Sequence, residues 1–340
     1  MAVLVTGGAG YIGSHTCLEL IAQGYNVVAV DNFCNSQPES ITRVKELAGK
    51  SFPFYEIDVR DESALDEIFK NHDTDCIIHF AGLKAVGESV KVPLMYYNNN
   101  LLSTIALCSA MKKYNVKRLI FSSSATVYNG ANEMPLTEKS LTGGCTNPYG
   151  WTKFMCEQIL RDTAQSEQDW SIILLRYFNP IGAHISGMIG EDPSDTPNNL
   201  MPYISQTAIG RLKCLSVYGG DYPTNDGTGV RDYIHVDDLA KGHVSAIKYS
   251  TAHTGTEVFN LGSGVGTSVL GLITAFETAS GVKIPYEIAG RRPGDIAVCY
   301  ASAEKAAEIL NWRAEKSIAE ACADTWRWQS LNPYGFKNKL

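Results

Sequence analysis

Short apolar runs alternate with longer amphipathic stretches through the first half of the chain. Runs at residues 2–6, 26–31, 53–57, 76–80, 118–122 and 171–176 have the length and continuous hydrophobicity of strands buried on both faces. Between them, residues 12–23, 38–47, 63–72, 93–114 and 149–168 carry apolar positions at helical spacing. Ser63 stands where an N-cap for the third helix would be. Strand and helix in steady alternation predict an α/β fold, a doubly wound parallel sheet of Rossmann type. The rhythm weakens after Tyr177. Residues 179–202 and 219–229 are rich in Gly, Pro, Asn and Asp, with further helices expected at 238–250, 268–280 and 318–329. The expected organisation is a dinucleotide-binding domain over 1–178 and a smaller mixed α/β lobe over 179–340, with part of 233–262 returning to the first.

Composition narrows the class. The net charge is −7 with no basic run, which disfavours nucleic acid or an anionic membrane as partner. Nine dispersed cysteines form no CxxC pair, and no apolar run approaches the length of a membrane span. With no leader-like N-terminus, these features predict a cytoplasmic protein. The seven histidines show no ligand spacing, so no metal is expected, and His79 reads as a hydrogen-bonded core residue.

Chemistry enters at the first turn. Thr6-Gly7-Gly8-Ala9-Gly10-Tyr11-Ile12-Gly13 links the first strand to the first helix. The glycines permit a tight turn and close backbone approach to a pyrophosphate, and the helix N-terminus favours its charge. Asp31 ends the second strand, eighteen residues after Gly13. A carboxylate there accepts hydrogen bonds from a ribose and repels a 2′-phosphate, which selects NAD over NADP. Asn32, Asn35 and Ser36 add polar groups beside it. Asp58 reads equally as an adenine partner or as a helix-start acid. Phe80-Ala81-Gly82 closes the fourth strand with small residues, and Lys84 follows where the pyrophosphate or the substrate should lie.

Tyr149 and Lys153 stand four apart at a helix start, so both face one side. A free phenol is a poor base at neutral pH; a nearby ammonium should lower its pKa. Ser124, just past the fifth strand, can hydrogen-bond the same substrate oxygen. Together they can remove a hydroxyl proton while a hydride leaves the attached carbon.

At this point the chain resembles the extended short-chain dehydrogenase/reductase superfamily and, within it, the branch that epimerises UDP-hexoses at C4. The segments VTGGAGYIGSHT, VDNFCNS, HFAGLKAVGES, SSSATVY, YGWTK, LRYFNPIGAH, PNNLMPYI, DGTGVRDYIHVDDLA and FNLGSG carry the resemblance across the chain. It implies tightly held NAD, catalysis by Ser124, Tyr149 and Lys153, and reversible epimerisation of UDP-glucose and UDP-galactose through a 4-keto sugar, in galactose metabolism. The implied cofactor contacts are Gly7, Gly10, Tyr11, Ile12, Gly13, Asp31, Asn32, Asn35, Ser36, Asp58, Val59, Phe80, Ala81, Gly82, Lys84, Asn99, Ser124, Tyr149, Lys153, Tyr177 and Phe178. The implied nucleotide-sugar contacts are Lys84, Ser124, Tyr149, Asn179, Asn199, Leu200, Arg231, Tyr233, Arg292, Asp295 and Cys299. Arg231 and Arg292 suit a diphosphate, since guanidinium pairs well with phosphate oxygens.

Related dehydratases place an Asp-Glu pair after the active-site hydroxyl, and the decarboxylases a Glu; here Ala125 and Thr126 follow Ser124, which favours simple oxidation and re-reduction. The resemblance also implies a homodimer formed through helices 93–114 and 149–168. Cys299 stands where the relatives' size gate has a bulky Tyr, and its small side chain predicts acceptance of UDP-N-acetylglucosamine and UDP-N-acetylgalactosamine. The alternatives are an epimerase for other UDP-sugars, a UDP-uronate or UDP-pentose, and a non-enzymatic NAD-sensing scaffold.

Overall fold

The alternating elements assemble into one seven-stranded parallel sheet in the computed structural model, which describes residues 1–193, 197, 199–292 and 294–337. The elements that build it are β1 (Ala2–Thr6), α1 (Tyr11–Ala22), β2 (Asn26–Asp31), α2 (Pro38–Ala48), β3 (Phe54–Glu56), α3 (Glu62–Asn71), β4 (Cys76–His79), α4 (Val86–Lys91), α5 (Pro93–Lys113), β5 (Arg118–Ser124), α6 (Pro148–Ser166) and β6 (Ser171–Tyr177). The chain then leaves the sheet through β7 (Asn179–Ile181), α7 (Leu200–Ala208), β8 (Leu215–Tyr218) and β9 (Val230–His235). It returns with α8 (Val236–Ser250) and β10 (Gly255–Leu261), and β10 pairs with β6 in parallel. The remainder is β11 (Gly266–Ser268), α9 (Val269–Ser280), β12 (Tyr286–Ala289), β13 (Val298–Cys299), α10 (Glu304–Ile309) and α11 (Ile318–Leu331).

The order across the large sheet is β3-β2-β1-β4-β5-β6-β10. It reverses direction between β1 and β4, and at such a switch point the strand ends open a crevice. Each strand feeds two cores. Val3 and Val5 of β1 join the layer under α1, α2 and α8; Leu4 faces the layer under α3, α5 and α6. Ile173 with Leu175, against Ile172 with Leu174, divide β6 in the same way. Each fully buried aliphatic side chain contributes about 1.5–3 kcal/mol relative to exposure.

The smaller lobe is mixed. β9 lies between β11 (antiparallel) and β13 (parallel) and also pairs with β7, while β8 and β12 form a separate parallel pair. A third core, containing Ile204, Phe276 and Cys322, ties α7, α9 and α11 to it. No helix among the described residues is long and apolar enough to cross a membrane. Within the Gly- and Pro-rich stretch after Tyr177, residues 194–196 and 198 lie outside the described residues, as do Pro293 and 338–340.

One local expectation is corrected. Ser63 does not cap α3; Asp61 does, its carboxylate accepting from the Ala64 N–H at 3.1 Å, so the helix begins at Glu62. Asp accepts that bond as well as Ser does, and the earlier residue sets the boundary.

Candidate active site

The glycine turn fits its place because side chains would not. Gly7 has φ +71°, and a Cβ on it would come within 2.8 Å of the Ala81 nitrogen. A Cβ on Gly13 would strike the Gly7 carbonyl oxygen. Gly10 precedes α1 without a side-chain cap, so the first N–H groups of the helix have no capping oxygen. Asp31 is fixed next to the turn: it accepts from Ala9 N at 3.0 Å, Phe33 N at 2.9 Å and the Ser36 hydroxyl at 2.8 Å. His79 braces the same region from below, with Nδ1 2.7 Å from the Thr6 hydroxyl and Nε2 3.3 Å from Thr104.

A solvent-open cleft runs from this turn along the strand ends. Of the residues anticipated for the cofactor, Gly7, Gly10, Tyr11, Ile12, Gly13, Asp31, Asn32, Asn35, Ser36, Asp58, Val59, Phe80, Ala81, Gly82, Lys84, Asn99, Tyr149, Lys153 and Tyr177 line its wall. Ser124 and Phe178 do not; Phe178 is buried against Tyr128, Leu136 and Ala301. Asp58 faces the cleft, and Arg60 beside it holds its carboxyl down at about 2. A groove lined by a side-chain-free glycine turn with a carboxylate beside it fits a dinucleotide.

The wall also contains residues that motif reading missed, among them Cys34, Ser122, Glu191, Asp192 and Phe336. Ser122 lies inside a serine run whose strand alternation could have marked it. Nothing local singles out Glu191, Asp192 or Phe336, which reach the cleft from the far half of the chain.

At the other end of the cleft, α6 starts at Pro148 with Asn147 as its cap, Oδ1 accepting from Gly150 N at 2.9 Å. This start buries Tyr149 and Lys153 on the same face. Lys153 is held against β5. Its ammonium donates to the Ser122 carbonyl at 2.7 Å and lies 4.9 Å over the Phe121 ring. Burial pushes Tyr149 above its ordinary value, and the hydrogen bond with Ser124 opposes that. Burial also lowers Lys153 to about 8, with Cys156 and Glu157 opposing. In the chain alone, burial is the largest influence on the phenol. Next to Ser124, Thr126 donates its hydroxyl to the Ser124 oxygen at 3.0 Å, so a hydroxyl fills the position where a carboxylate would be acid or base.

Of the residues anticipated for the nucleotide sugar, Lys84, Ser124 and Tyr149 belong to the large-sheet half and the others to the later segments. Register pairs Asn179 with Tyr233 and Cys299 with Arg231 around β9. Tyr233 is buried and pushed up to about 12, with Arg231 and Arg292 opposing, so both guanidinium charges are felt at one phenol. Arg292 pairs with Asp295 at 2.9 Å and lies 5.0 Å over the Tyr218 ring. Asn199 and Leu200 open α7, and Asn199 donates to Glu191 at 2.8 Å. Glu191 also accepts from Lys84 at 3.2 Å, joining the cleft to this lobe. Cys299 packs in a small cluster with Ala125 and Phe178.

Comparison with known proteins agrees with this architecture. The chain is 58% identical over 338 residues to the UDP-glucose 4-epimerase of Bacillus subtilis, covering 99% of both chains. It is 56% identical over 340 residues to that of Homo sapiens, covering 98% of each. The crystal structure of UDP-glucose 4-epimerase from Bifidobacterium longum in complex with NAD+ and UDP superposes with a TM-score of 0.96 at 55% identity, covering 98% of this chain and 100% of that one. The model of the NAD dependent epimerase/dehydratase family matches residues 3–262, and the chain belongs to that family.

Proposed function

We propose that this chain interconverts UDP-glucose and UDP-galactose by inverting C4, using NAD held along the cleft. The observation that carries this reading is the reaction end of the cleft: Tyr149 and Lys153 line it and Ser124 hydrogen-bonds Tyr149, with Thr126 rather than a carboxylate beside Ser124. The groove's side-chain-free turn and Asp31 support NAD as the cofactor. When bound, NAD supplies a reversible hydride acceptor at the sugar carbon. Tyr149 takes the proton from the sugar 4-hydroxyl and returns it after the 4-keto sugar has presented its other face. Ser124 hydrogen-bonds that oxygen and holds it over Tyr149. Lys153, anchored on the Ser122 carbonyl, contributes the positive charge that the buried phenolate needs.

The two halves divide the labour: residues 1–178 with β10 hold the cofactor, and the later segments hold the nucleotide sugar. Arg231 and Arg292 receive the diphosphate. Exposed Leu94, Leu102, Ile105 and Met155 on α5 and α6 support a homodimer built on those helices. Nine free cysteines suit a cytoplasmic enzyme of galactose metabolism.

Cys299 is the proposed size gate, which leaves room for a 2-acetamido group and extends the substrates to UDP-N-acetylglucosamine and UDP-N-acetylgalactosamine. Turnover of UDP-galactose and UDP-N-acetylgalactosamine, assayed separately, tests both levels. Both should react, and Cys299→Tyr should remove only the second activity. No turnover of UDP-galactose overturns the function; turnover of UDP-galactose alone overturns only the gate.

A further inference from the structure

The three groups of the reaction end come from two elements. Tyr149 and Lys153 ride on α6, while Ser122 and Ser124 belong to β5. Their distances therefore depend on how α6 sits on β5. The contact between the two is mainly apolar, through Phe121, Cys156 and Leu160. Apolar packing is non-directional and specifies register weakly.

One polar assembly interrupts that apolar layer. Glu157, one helical turn after Lys153, is 3% exposed. Its carboxylate accepts from Arg176 Nε at 2.8 Å, Arg176 Nη2 at 2.6 Å and the Ser123 hydroxyl at 2.6 Å. Ser123 lies between Ser122, which anchors Lys153, and Ser124, which meets Tyr149. Arg176 is the register partner of Ser123 across β5 and β6. The next residue, Tyr177, lines the cleft and places its hydroxyl 2.5 Å from that of Ser122. On its far side the Arg176 guanidinium lies 4.8 Å over the Tyr128 ring.

A buried ion pair is a poor source of stability, because desolvation offsets most of its attraction. What it supplies is direction: a bidentate pair and a third donor tolerate little sliding. We infer that Glu157 is a positioning residue, clamping α6 to the ends of β5 and β6 through Arg176 and Ser123 so that Tyr149, Lys153 and Ser124 meet in one geometry. This rests on the proposed epimerase reading. Glu157 does not line the cleft, so its loss acts through the groups it positions and falls mainly on the chemical step.

The test uses the NAD-loaded enzyme with UDP-galactose. In Glu157→Gln, kcat should fall on the order of 10- to 100-fold, the scale of a misplacement near 1 Å, while KM and bound NAD stay within about twofold. Ser123→Ala should give a smaller fall of the same kind, and it decides the matter alone if Glu157→Gln does not fold. The triple variant Ser123→Ala, Glu157→Leu, Arg176→Met removes the three members of the clamp together, which relieves the buried unpaired charge; Arg161, 3.6 Å from Glu157, is partly exposed and remains solvated. It should regain thermal stability without regaining kcat. Unchanged kcat in Glu157→Gln and Ser123→Ala overturns the inference, as does a triple variant in which kcat and Tm recover together. Absent turnover in the unaltered chain would instead count against the proposed function.

Discussion

The cleft at the glycine turn and the smaller lobe, proposed to hold the cofactor and the nucleotide sugar, would solve the same problem, binding an anionic ligand, in opposite ways. In the large sheet the polar groups are already committed: Asp31 accepts three hydrogen bonds, and the glycine turn leaves no room for a side chain. In the smaller lobe the cations are loosely held. The Arg292 side chain is 55% exposed and paired to Asp295, while Arg231 donates to its neighbour's carbonyl, Val230 O, at 2.8 Å. A preorganised half keeps a resident group in place at little further cost; a half with exposed, exchangeable pairs can accept and release a ligand each turnover.

That contrast predicts that substitutions at the reaction end strike kcat and substitutions in the lobe strike KM. The largest effect belongs to Tyr149→Phe, which removes the acid–base group. Its kcat should fall by about 10³-fold in steady-state assays while NAD still co-purifies. Loss of NAD together with kcat would mean that the phenol holds the cofactor rather than the proton. Next comes Arg292→Met: losing a charge-assisted contact to phosphate should raise KM for UDP-galactose by about 10- to 100-fold with kcat little changed. A fall in kcat at constant KM would erase the division between the halves.

The smallest effect is on stability. Burial lowers His15 and His243 to about 4, and His79 still further below its ordinary value. All three lie in the large half. A buried neutral histidine binds no proton where the unfolded chain, near 6.5, already does, so stability falls as pH drops from about 6.5 towards 4. Each such group accounts for on the order of 1–3 kcal/mol over that window. Thermal melts from pH 7 to pH 4.5 should show the loss, and His243→Phe should flatten part of it. A melting temperature independent of pH over this range would contradict the assignment.

The same contrast explains what could be read in advance. The cofactor half was legible because its signals are local: the glycine turn, Asp31 at a strand end, and Tyr149 with Lys153 one turn apart each occupy a few consecutive residues. The strand alternation around them agrees with the seven-stranded sheet. The smaller lobe was not legible in detail, because β11 and β13 have three and two residues, too few to show a period. Glu191 and Phe336 reach the cleft only through long-range packing. At Tyr149 and Lys153 the pattern located the pair but not its surroundings. Spacing shows that two side chains share a face; it does not show that Lys153 turns to the Ser122 carbonyl or that burial dominates the phenol.

The central claim is that the cofactor is resident and that the hydride leaves and returns within one active site. UDP-galactose carrying deuterium at C4, converted by the purified enzyme with no NAD added, tests it directly. The account predicts UDP-glucose that retains the deuterium at C4, followed by NMR or mass spectrometry. Deuterium lost to solvent, or turnover that stops until NAD is supplied, would contradict it.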